Sequence, residues 1–320
     1  MTRAVSQART VLLTTPDIDG DAVGSIVALA RALHRRWRCR VTVAADEPLP
    51  DRYAFLVDDP GLFQLAGDLP ATPFDLALVL DGDPGRLGEI GEHYRRARRR
   101  GLVDHHKTSV HAEADVFFLD PVCSSTAEMV LRLCDHWGVA LDAALAAPIW
   151  AGMVFDTSIF RYRLTRPATL RNAARLLETG IDHARICELV LLQQSLPKVR
   201  RRGIMINKLL TAAGGRIAYA SLTHEELGDA ETGGLVDDLV FIEGVEIGAL
   251  LIDKGEGRIR LSLRSRGAVD VALLARSLTP HGGGHARAAG ATLQGPLDAA
   301  VQSVVTAATA ALMADRHAVK

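Results

Sequence analysis

Acidic and imidazole side chains gather where apolar runs of this sequence end. The densest example is Asp104-His105-His106, in which one carboxylate and two imidazoles directly follow Leu102-Val103. Carboxylate and imidazole groups are metal ligands, and both also transfer protons in catalysis. Taken alone, the tripeptide is equally compatible with a surface turn, so its meaning depends on what stands at the other strand ends.

A second acidic cluster consists of Asp17, Asp19 and Asp21 around Gly20, between the strand-like run 11–14 and a helical pattern. Carboxylates this close raise one another's pKa and destabilise the fold unless a cation lies among them. The cluster therefore predicts a metal site. The alternative is an Asx-rich turn in which Asp19 or Asp21 is the N-cap of the following helix.

Two further acids, Asp81 and Asp156, also follow apolar runs. Asp81 comes after the continuous apolar run 76–80, which is typical of a strand buried on both faces of a parallel sheet. Asp156 ends the run 151–155, which we interpret as another strand. Ligands of open α/β sheets bind outside the carboxyl ends of the strands, so these acids are expected to converge on one crevice.

The elements that must position these acids alternate through the first half of the chain. Helical spacing of apolar residues over 23–33 is followed by a strand pattern at 41–44. Ser125-Thr126-Ala127-Glu128 has capping-box spacing ahead of a helix that Gly138 stops, and another helix begins at Pro167. The alternation predicts an α/β fold with a doubly wound, mainly parallel sheet.

The pattern changes in the second half. A basic, helical stretch near 189–210, interrupted by Pro197, is interpreted as the connector between two domains. Runs 245–252 and 258–263 flank the turn-like segment 254–257 and predict a hairpin. Alternation places two sets of residues on opposite faces of the second strand: Ile259, Leu261 and Leu263 on one, and Arg258, Arg260, Ser262 and Arg264 on the other.

Gly282-Gly283-Gly284 is the other candidate for chemistry in this half. Backbone amides of glycines approach an anion without interference from Cβ, while His285 and Arg287 supply donors to phosphate or base. Alone, such a segment is usually a flexible loop. Together with Arg264-Ser265-Arg266 it predicts a clamp for the nucleotide end of a substrate. The chain has neither a G-x-G-x-x-G fingerprint nor a P-loop, which argues against NAD or ATP chemistry.

Composition narrows the class of ligand. The chain has 320 residues, 48% of them hydrophobic, and a formal net charge of -1, which suits two cores and a local anion pocket better than a broad nucleic-acid surface. The basic runs 95–100 and 198–202 are interpreted as solvated. Without an apolar signal core or an uninterrupted membrane-length run, a cytoplasmic protein with no membrane partner is expected. Cys39, Cys123, Cys134 and Cys187 are interpreted as reduced thiols.

These motifs resemble the DHH phosphoesterases, and more narrowly the DHH/DHHA1 branch that includes oligoribonuclease (nanoRNase) and pAp phosphatase enzymes. The resemblance covers nearly the whole chain. The matching segments are Asp19-Gly20-Asp21-Ala22-Val23-Gly24-Ser25, Leu80-Asp81, Asp104-His105-His106, Ser124-Ser125-Thr126-Ala127-Glu128, Phe155-Asp156-Thr157, Leu263-Arg264-Ser265-Arg266-Gly267 and Gly282-Gly283-Gly284-His285-Ala286-Arg287-Ala288-Ala289-Gly290.

The resemblance implies two Mn²⁺ ions, with Mg²⁺ or Co²⁺ as alternatives. Asp19 and Asp81 would hold one ion, and Asp21, Asp81, His105 and Asp156 the other, with Asp81 between them. His106 would contact the scissile phosphate or protonate the leaving group, and Asp104 would orient a histidine. Substrate contacts would come from two sets of residues: Ser124 and Ser125 in the first, and Arg264, Ser265, Arg266, Gly282, Gly283, Gly284, His285 and Arg287 in the second.

It also implies a domain plan and a substrate. A DHH domain over 1–187 and a helical linker over 188–211 would precede a smaller α/β DHHA1 domain with a mixed sheet over 212–320. The expected substrate is short single-stranded RNA, a linear dinucleotide such as pApA, or pAp, hydrolysed to mononucleotides. A homodimer is left open.

One position departs from the family pattern. Thr15 stands where the family places a metal-binding histidine, and a neutral hydroxyl is a weak ligand, so the Asp19/Asp81 site is in doubt. Asp17 or a water molecule would fill the vacancy. One alternative that follows from Thr15 is a nucleotide-binding protein with impaired catalysis. A second alternative within the family is an inorganic pyrophosphatase-like enzyme, but the Arg264 and glycine motifs argue against it.

Overall fold

The chain folds into two compact units, Met1–Gln193 and Gln194–Lys320, in a computed structural model. The structure describes residues 1–57, 60–106, 111–227 and 234–318. The predicted plan of 1–187, linker 188–211 and 212–320 stays a prediction. Within the predicted linker, a π-helical turn spans Glu188–Leu192 and a regular helix follows it.

Unit 1 is built on a six-stranded sheet in which every described pair is parallel. The strands are β1 Thr10–Thr14, β2 Arg40–Ala45, β3 Phe63–Leu65, β4 Leu76–Leu80, β5 Arg100–Asp104 and β6 Val116–Leu119, in the order β3-β2-β1-β4-β5-β6. The helices are α1 Thr2–Gln7, α2 Gly20–Trp37, α3 Ile90–Arg96, α4 Thr126–Trp137, α5 Ala143–Thr157, α6 Pro167–Leu177 and α7 His183–Cys187.

Helices cover both faces of this sheet, which confirms the predicted doubly wound α/β fold. Helices α2, α4 and α5 pack their apolar residues on one face, in a core that includes Leu13 and Leu78. On the other face α3 buries Ile90 and Tyr94 against Leu12 and neighbouring residues. The central strands are therefore apolar on both sides, as the continuous run 76–80 predicted.

The carboxyl ends of the central strands bring the acidic motifs together. Strands β1, β4 and β5 are adjacent, so the turn that carries Asp19 lies beside Asp81 and Asp104. Asp81 has a left-handed backbone with φ of 59°, and Gly82 follows with φ of 148°. A Cβ at Gly82 would lie 2.4 Å from Pro16 Cγ, so only glycine fits this turn.

The expectation that Asp156 ends a strand is wrong. It lies in the last turn of α5, a helix that packs against α2 and α4 and buries residues on every side. Because a fully buried helix shows no polar face, its apolar run has the same appearance as that of a buried strand. Asp156 nevertheless reaches the same edge as the strand-borne acids.

Unit 2 contains a mixed six-stranded sheet, as expected. Its strands are β7 Leu210–Ala212, β8 Ile217–Leu222, β9 Ile247–Asp253, β10 Arg258–Ser265, β11 Gly283–His285 and β12 Ala288–Gln294, in the order β11-β12-β10-β9-β8-β7. Among the described strands of unit 2, only β8 and β9 pair in parallel. Its helices are α8 Leu196–Asn207, α9 His224–Leu227, α10 Leu235–Val240, α11 Val271–Leu278 and α12 Leu297–Ala318.

Two expectations about unit 2 have clear outcomes. The expected interruption of the helical stretch near Pro197 is confirmed, since one helical segment ends at Leu192 and α8 begins at Leu196. Pro197 stands in the first turn of α8, where its missing N–H has no intrahelical partner to lose. The alternation along β10 is confirmed, since Ile259, Leu261 and Leu263 are buried against α11 and α12.

Helix α12 includes an 18-residue window, Leu297–Ala314, with a mean hydropathy of 1.4. By length and composition alone it is apolar enough to cross a membrane, although polar residues such as Asp298 and Gln302 interrupt it. Core helices pass the same test, and α12 packs Val304, Ala308 and Leu312 into the core of unit 2. The window is therefore weak support for a membrane span.

All four cysteines are free and buried, and all four lie in unit 1. Burial raises the pKa of the Cys123 thiol to about 11 and that of Cys134 to about 12. The thiols are therefore protonated at neutral pH, as expected for structural cysteines.

Candidate metal centre and active site

His105 is the centre of a cluster of carboxylates at the carboxyl edge of the sheet in unit 1. Its Nε2 lies 2.8 Å from Asp156 Oδ2, 3.7 Å from Asp81 Oδ1 and 4.0 Å from Asp21 Oδ2. One ligand atom each of Asp21, His105 and Asp156 lies within 4.8 Å of the others. These are the distances expected of side chains that can surround a single cation, and the residue types suit Mn²⁺ or a similar ion.

His106 and Asp104 form a second part of the site. Asp104 is fully buried, and its Oδ1 lies 2.7 Å from His106 Nδ1 while also accepting the His106 backbone N–H at 3.1 Å. His106 Nδ1 lies 3.7 Å from Asp81 Oδ1, and a second potential metal group consists of Asp81, His105 and His106. A carboxylate bonded to Nδ1 fixes the orientation of an imidazole ring.

Asp19 serves as the N-cap of α2. Its Oδ1 accepts the backbone N–H groups of Asp21 and Ala22, each at 3.0 Å. Asp19 is therefore an N-cap, as one interpretation of the acidic turn predicted. An N-cap carboxylate can also bind a metal, so the metal-site prediction still stands as a prediction. Burial raises the pKa of Asp19 to about 6, and the charges of Asp156 and Asp17 add to that effect.

Burial also raises the pKa of Asp21 and Asp81 well above the ordinary range, and neighbouring carboxylates raise it further. Asp21 is fully buried and Asp81 is 6% exposed. Several ionised carboxylates in so small a volume are unfavourable without a positive charge among them. The electrostatics of the cluster therefore fit a bound cation.

In the two histidines, the neighbouring carboxylates outweigh burial and raise the pKa. Burial lowers the pKa of His105, but its hydrogen bond to Asp156 and the charges of Asp156 and Asp81 outweigh that effect and raise it to about 9. The hydrogen bond to Asp104 raises the pKa of His106. In the metal-free protein a protonated His105 thus supplies part of the positive charge that the carboxylates require.

The amino terminus of α4 holds two of the carboxylates in place. The backbone N–H groups of Thr126 and Ala127 donate to Asp21 Oδ2 and Oδ1 at 2.6 and 2.9 Å. The Thr126 hydroxyl donates to Asp81 Oδ1 at 3.0 Å. The partial positive charge of a helix N-terminus favours an anion there.

Thr126 and Ala127 belong to one of the sequence motifs, but the sequence did not predict a role for them in the site. Their contacts with Asp21 span more than 100 residues of chain, so no local pattern reveals them. The only available signal was the capping-box spacing, which placed a helix N-terminus at this point. Ser125 does cap α4, because its Oγ accepts the Glu128 N–H at 3.0 Å.

The expectation that Ser124 and Ser125 contact substrate conflicts with their environment. Both are fully buried. The Ser124 hydroxyl and N–H donate to Glu128 Oε2 at 2.6 and 3.0 Å, and Glu128 also accepts from Thr169 and Asn172 of α6. These groups are committed within the fold, so we assign them to positioning α4 beneath the carboxylates.

A glycine allows α5 to approach this region closely. A Cβ at Gly152 would lie 2.5 Å from Asp21 Oδ1 and 2.5 Å from the Ala127 Cβ. Both distances are shorter than packed carbon and oxygen atoms adopt. Gly152 therefore lets α5 place Asp156 beside the cluster without displacing Asp21.

The side chains of Thr15 and Asp17 both bond to groups outside the carboxylate–imidazole cluster. The Thr15 side chain is buried, and its hydroxyl donates to the backbone carbonyl of Asp17 at 2.8 Å. Asp17 pairs with Arg86, with an oxygen–nitrogen distance of 2.7 Å. In this arrangement Asp17 points its charge at an arginine, which argues against its replacing the missing imidazole. Asp19 belongs to neither of the two metal groups found among the described residues.

The predicted clamp residues of unit 2 divide into three environments. Arg264 forms an ion pair with Asp237 of α10 at 2.7 Å, Arg266 lies over the Phe241 ring at 5.5 Å, and Arg287 donates to the Gly267 carbonyl. Ser265 is buried, and its Oγ has no partner among the described residues. His285 is exposed on β11.

The three glycines are not a flexible loop. Gly283 and Gly284 belong to β11 and pair with β12. A Cβ would lie 2.2 Å from the Ala275 carbonyl oxygen at Gly282 and 2.5 Å from that of Ala288 at Gly284, so both glycines are required by packing. A Cβ at Gly283 would meet no atom within 4 Å, so only this glycine faces open space.

Comparison with known proteins identifies the class. Residues 10–153 match the family model for the DHH family, N-terminal domain, and residues 201–314 match that for the DHHA1 domain. Together with the carboxylate–imidazole site, these matches define a hydrolase that cleaves phosphate esters.

A relative from Thermus thermophilus, the bifunctional oligoribonuclease and PAP phosphatase NrnA, is 32% identical over 303 residues, which are 92% of this chain and 88% of the relative. The chain belongs to the DHH/DHHA1 phosphoesterase family, as the motifs predicted.

Two solved structures support the fold. An exopolyphosphatase-related protein from Bacteroides fragilis superposes with a TM-score of 0.87 at 26% identity, over 96% of this chain and 93% of that one. RecJ from Thermus thermophilus, in complex with Mn²⁺, superposes with a TM-score of 0.53 at 15% identity, over 97% of this chain and 53% of that one. At that identity the likeness to RecJ concerns the fold alone.

Proposed function

We propose that this phosphoesterase hydrolyses short oligoribonucleotides, linear dinucleotides such as pApA, and pAp, and releases mononucleotides. The single observation that carries the proposal is the convergence of Asp21, Asp81, Asp156 and His105 at one sheet edge, with His105 Nε2 within 4.0 Å of all three carboxylates. The likeness to an oligoribonuclease and PAP phosphatase over nearly the full chain supports this choice of substrate.

Within this proposal, Asp21, Asp81, His105 and Asp156 would hold one divalent cation, and Asp19 and Asp81 would hold a second. Mn²⁺ is the expected ion, with Mg²⁺ or Co²⁺ as alternatives. Such a pair lowers the pKa of a shared water and neutralises charge on the reacting phosphate. The position of Asp81 between His105 and His106, at 3.7 Å from each, supports its role as the shared ligand.

His106 is proposed to contact the scissile phosphate or to protonate the leaving group. Its side chain is 40% exposed, in contrast to the 6% of His105, so a substrate reaches it more easily. Asp104 holds the ring through Nδ1 and is the positioning residue for this histidine. Proton transfer requires such a fixed donor, since a mobile ring is seldom in the reactive geometry.

The nucleotide end of the substrate is proposed to bind in unit 2, at Arg264, Ser265, Arg266, His285, Arg287 and the open backbone at Gly283. Arg264 would exchange or share its contact with Asp237 on binding an anion, because Asp237 lies 2.7 Å away and is itself partly exposed. Bidentate contact between arginine and phosphate is the interaction that this side chain favours.

The decisive experiment follows AMP release from pApA, and phosphate release from pAp, with and without Mn²⁺. The protein should be inactive after chelation and active when Mn²⁺ is restored. Asp81→Ala should reduce turnover by several orders of magnitude, because it removes the shared ligand. Asp83→Ala is the matched control, since Asp83 only caps a short turn by accepting the Gly85 N–H. Full activity in Asp81→Ala would refute the site.

One observation favours a second function, nucleotide binding with impaired catalysis. The Thr15 hydroxyl is bonded to the Asp17 carbonyl, and Asp17 is paired with Arg86, so neither replaces an imidazole at the Asp19/Asp81 site. Binding of pApA without any Mn²⁺-dependent release of AMP, over a full range of Mn²⁺ concentration, would favour this function.

A cytoplasmic location belongs to the same proposal, and a homodimer is compatible with it. Cell fractionation and analytical ultracentrifugation of the purified chain measure these two properties directly.

A further inference from the structure

A cavity in unit 1 lies at the end of the sheet opposite the candidate metal centre. It has a volume of about 630 Å³ and lies between the C-terminal half of α2 and the start of β2. Asp19 and Arg38 cap the two ends of α2, and a helix of 18 residues is about 27 Å long. The cavity is therefore separate from the carboxylate–imidazole cluster, which lies at the carboxyl ends of the strands.

The cavity forms because the edge strand of the sheet is short. β3 pairs with β2 only from Val43 onward, so the first half of β2 has no neighbour on that side among the described residues. Apolar side chains make up half of the lining: Val27, Ala30, Cys39, Val41 and Leu62. Val27, Ala30 and Cys39 are buried, so this apolar floor belongs to the packed part of unit 1.

The other half of the lining is basic and consists of Arg31, His34, Arg35, Arg38 and Arg40. None of the lining residues that the structure describes is acidic. The fold itself accounts for some of these side chains. Arg31 donates to two backbone carbonyls, at 2.6 and 3.0 Å, and Arg35 pairs with Asp142 at 3.0 Å. His34 lies in the last turn of α2, where a basic residue complements the helix dipole.

Arg38 and Arg40 have no such role in the fold. Both are exposed, and neither side chain forms an ion pair or a hydrogen bond with the described part of the chain. Arg38 also has a left-handed backbone, with φ of 55°, at the end of a helix where glycine is favoured. An arginine at this position costs conformational energy that a glycine would not, and no side-chain contact among the described residues offsets that cost.

We propose that this cavity binds a small organic anion with an apolar body and a single phosphate or carboxylate group. The body would lie on the apolar floor. The anionic group would bind to Arg38 and Arg40, because arginine binds phosphate and carboxylate through parallel hydrogen bonds. Pockets of about 300 to 1,000 Å³ that combine apolar walls with a few polar groups are typical of small-molecule sites.

This site goes beyond the proposed function. Its lining residues fall within 27–62 and lie outside every segment that resembles the DHH phosphoesterases. Two kinds of molecule share the required chemistry: a nucleoside monophosphate, whose body is a base, and a medium-chain fatty acid, whose body is an alkyl chain. AMP and decanoate are the corresponding probes.

The test measures binding to metal-free protein in EDTA by calorimetric titration. AMP, decanoate or both should bind with a Kd below about 1 mM. The double variant Arg38→Asn/Arg40→Gln should bind that probe at least about 10-fold more weakly, because it loses hydrogen bonds to a charged group. Asparagine is the replacement at position 38 because it tolerates a left-handed backbone. Arg40→Gln alone should show a smaller loss of about 3- to 10-fold.

Truncated probes test the apolar floor. Inorganic phosphate and acetate carry the charge without the body, so they should bind at least about 10-fold more weakly than AMP and decanoate, respectively. Equal affinity for the truncated and the complete probe would overturn the proposal. Loss of affinity in the double variant for AMP alone would identify a nucleotide site, and loss for decanoate alone would identify an acyl-chain site.

Arg171→Gln is the matched control protein. Arg171 is exposed on α6 and does not line the cavity, so this variant should bind the probe as the wild type does. Asp81→Ala should also keep the wild-type affinity, which separates this site from the metal centre and from the proposed hydrolysis. Melting curves check that each variant is folded. Absence of binding for both probes, equal affinities in the wild type and the double variant, or a loss in Arg171→Gln or Asp81→Ala would refute the assignment.

Discussion

Replacing Thr126 with valine removes one hydroxyl group from the candidate metal centre and preserves the shape of the side chain. That hydroxyl donates to Asp81 Oδ1 at 3.0 Å, and Thr126 is fully buried while Asp81 is 6% exposed. The backbone N–H of Thr126 keeps its bond to Asp21. The substitution therefore perturbs one carboxylate and leaves its neighbour in place.

The expected magnitude follows from the type of bond. A hydrogen bond to a charged group contributes roughly 1.5 to 3 kcal/mol, and water does not readily replace it at a buried position. If that energy holds Asp81 in its ligand geometry, losing it weakens metal binding about 10- to 100-fold. This range agrees with the effect of removing an outer partner of a metal ligand in other proteins, which is also about 10- to 100-fold.

The assay is a titration of Mn²⁺ into metal-free protein, followed by calorimetry. Thr126→Ser is the matched control, because serine keeps a hydroxyl that reaches Asp81. Thr126→Val should bind Mn²⁺ more weakly than both the wild type and Thr126→Ser, and its melting temperature without metal should change little in comparison. Identical Mn²⁺ affinities in all three proteins would refute the reasoning, as would an equal loss in the serine variant.

Three further predictions concern the same centre. The folded-state pKa of Asp19 is raised from 3.8 to about 6, so the native protein binds more protons than the unfolded chain in that range. The stability of the metal-free protein should therefore fall as pH rises from about 4 to 6. It should fall again between 6.5 and about 9, because the raised pKa of His105 has the same effect there. Because Asp21 and Asp81 also have raised pKa values, melting curves should show a smaller first loss in Asp19→Asn than in the wild type, and Mn²⁺ should reduce both losses. Thr15→His should tighten the weaker of two Mn²⁺ binding steps and lower the Mn²⁺ concentration needed for half-maximal turnover. Unchanged titration curves would show that another ligand already substitutes for the missing imidazole. Gly152→Ala should lower the free energy of unfolding by about 1 to 3 kcal/mol and weaken Mn²⁺ binding, because the new Cβ would lie 2.5 Å from Asp21 Oδ1. Gly203→Ala on α8 is the control, since a Cβ there meets no atom within 4 Å. In the same denaturation and titration experiments it should change neither stability nor Mn²⁺ affinity.

The parallel sheet and most of the carboxylate–imidazole cluster at its carboxyl edge follow from local patterns, whereas the order of the strands was not predicted. The run 76–80 has apolar residues on both faces, so a buried parallel strand was predictable, and Asp81 had to appear at its carboxyl end. The same reasoning placed Asp104 and His105. It placed Asp156 at the correct edge for the wrong reason, because a buried helix and a buried strand share one apolar pattern.

Contacts between distant segments were not predictable. The bonds from the amino terminus of α4 to Asp21 and Asp81 depend on how α2 and α4 cross, which no local spacing encodes. The pairing of Arg264 with Asp237 likewise follows from the packing of α10 on β9 and β10. The left-handed backbone at Asp81 is a further case, since the residue type gives only a weak indication of it.

The burial of all four cysteines in unit 1 gives the protein a built-in reporter of opening. A thiol reagent reacts with a buried cysteine only after local or global unfolding exposes it, so its rate measures the population of open states. Cys39 lies between α2 and β2, Cys123 before α4, Cys134 within α4 and Cys187 at the end of α7. Labelling kinetics resolved by peptide mass spectrometry would therefore follow the loosening of four separate parts of unit 1, while unit 2, which has no cysteine, stays unlabelled.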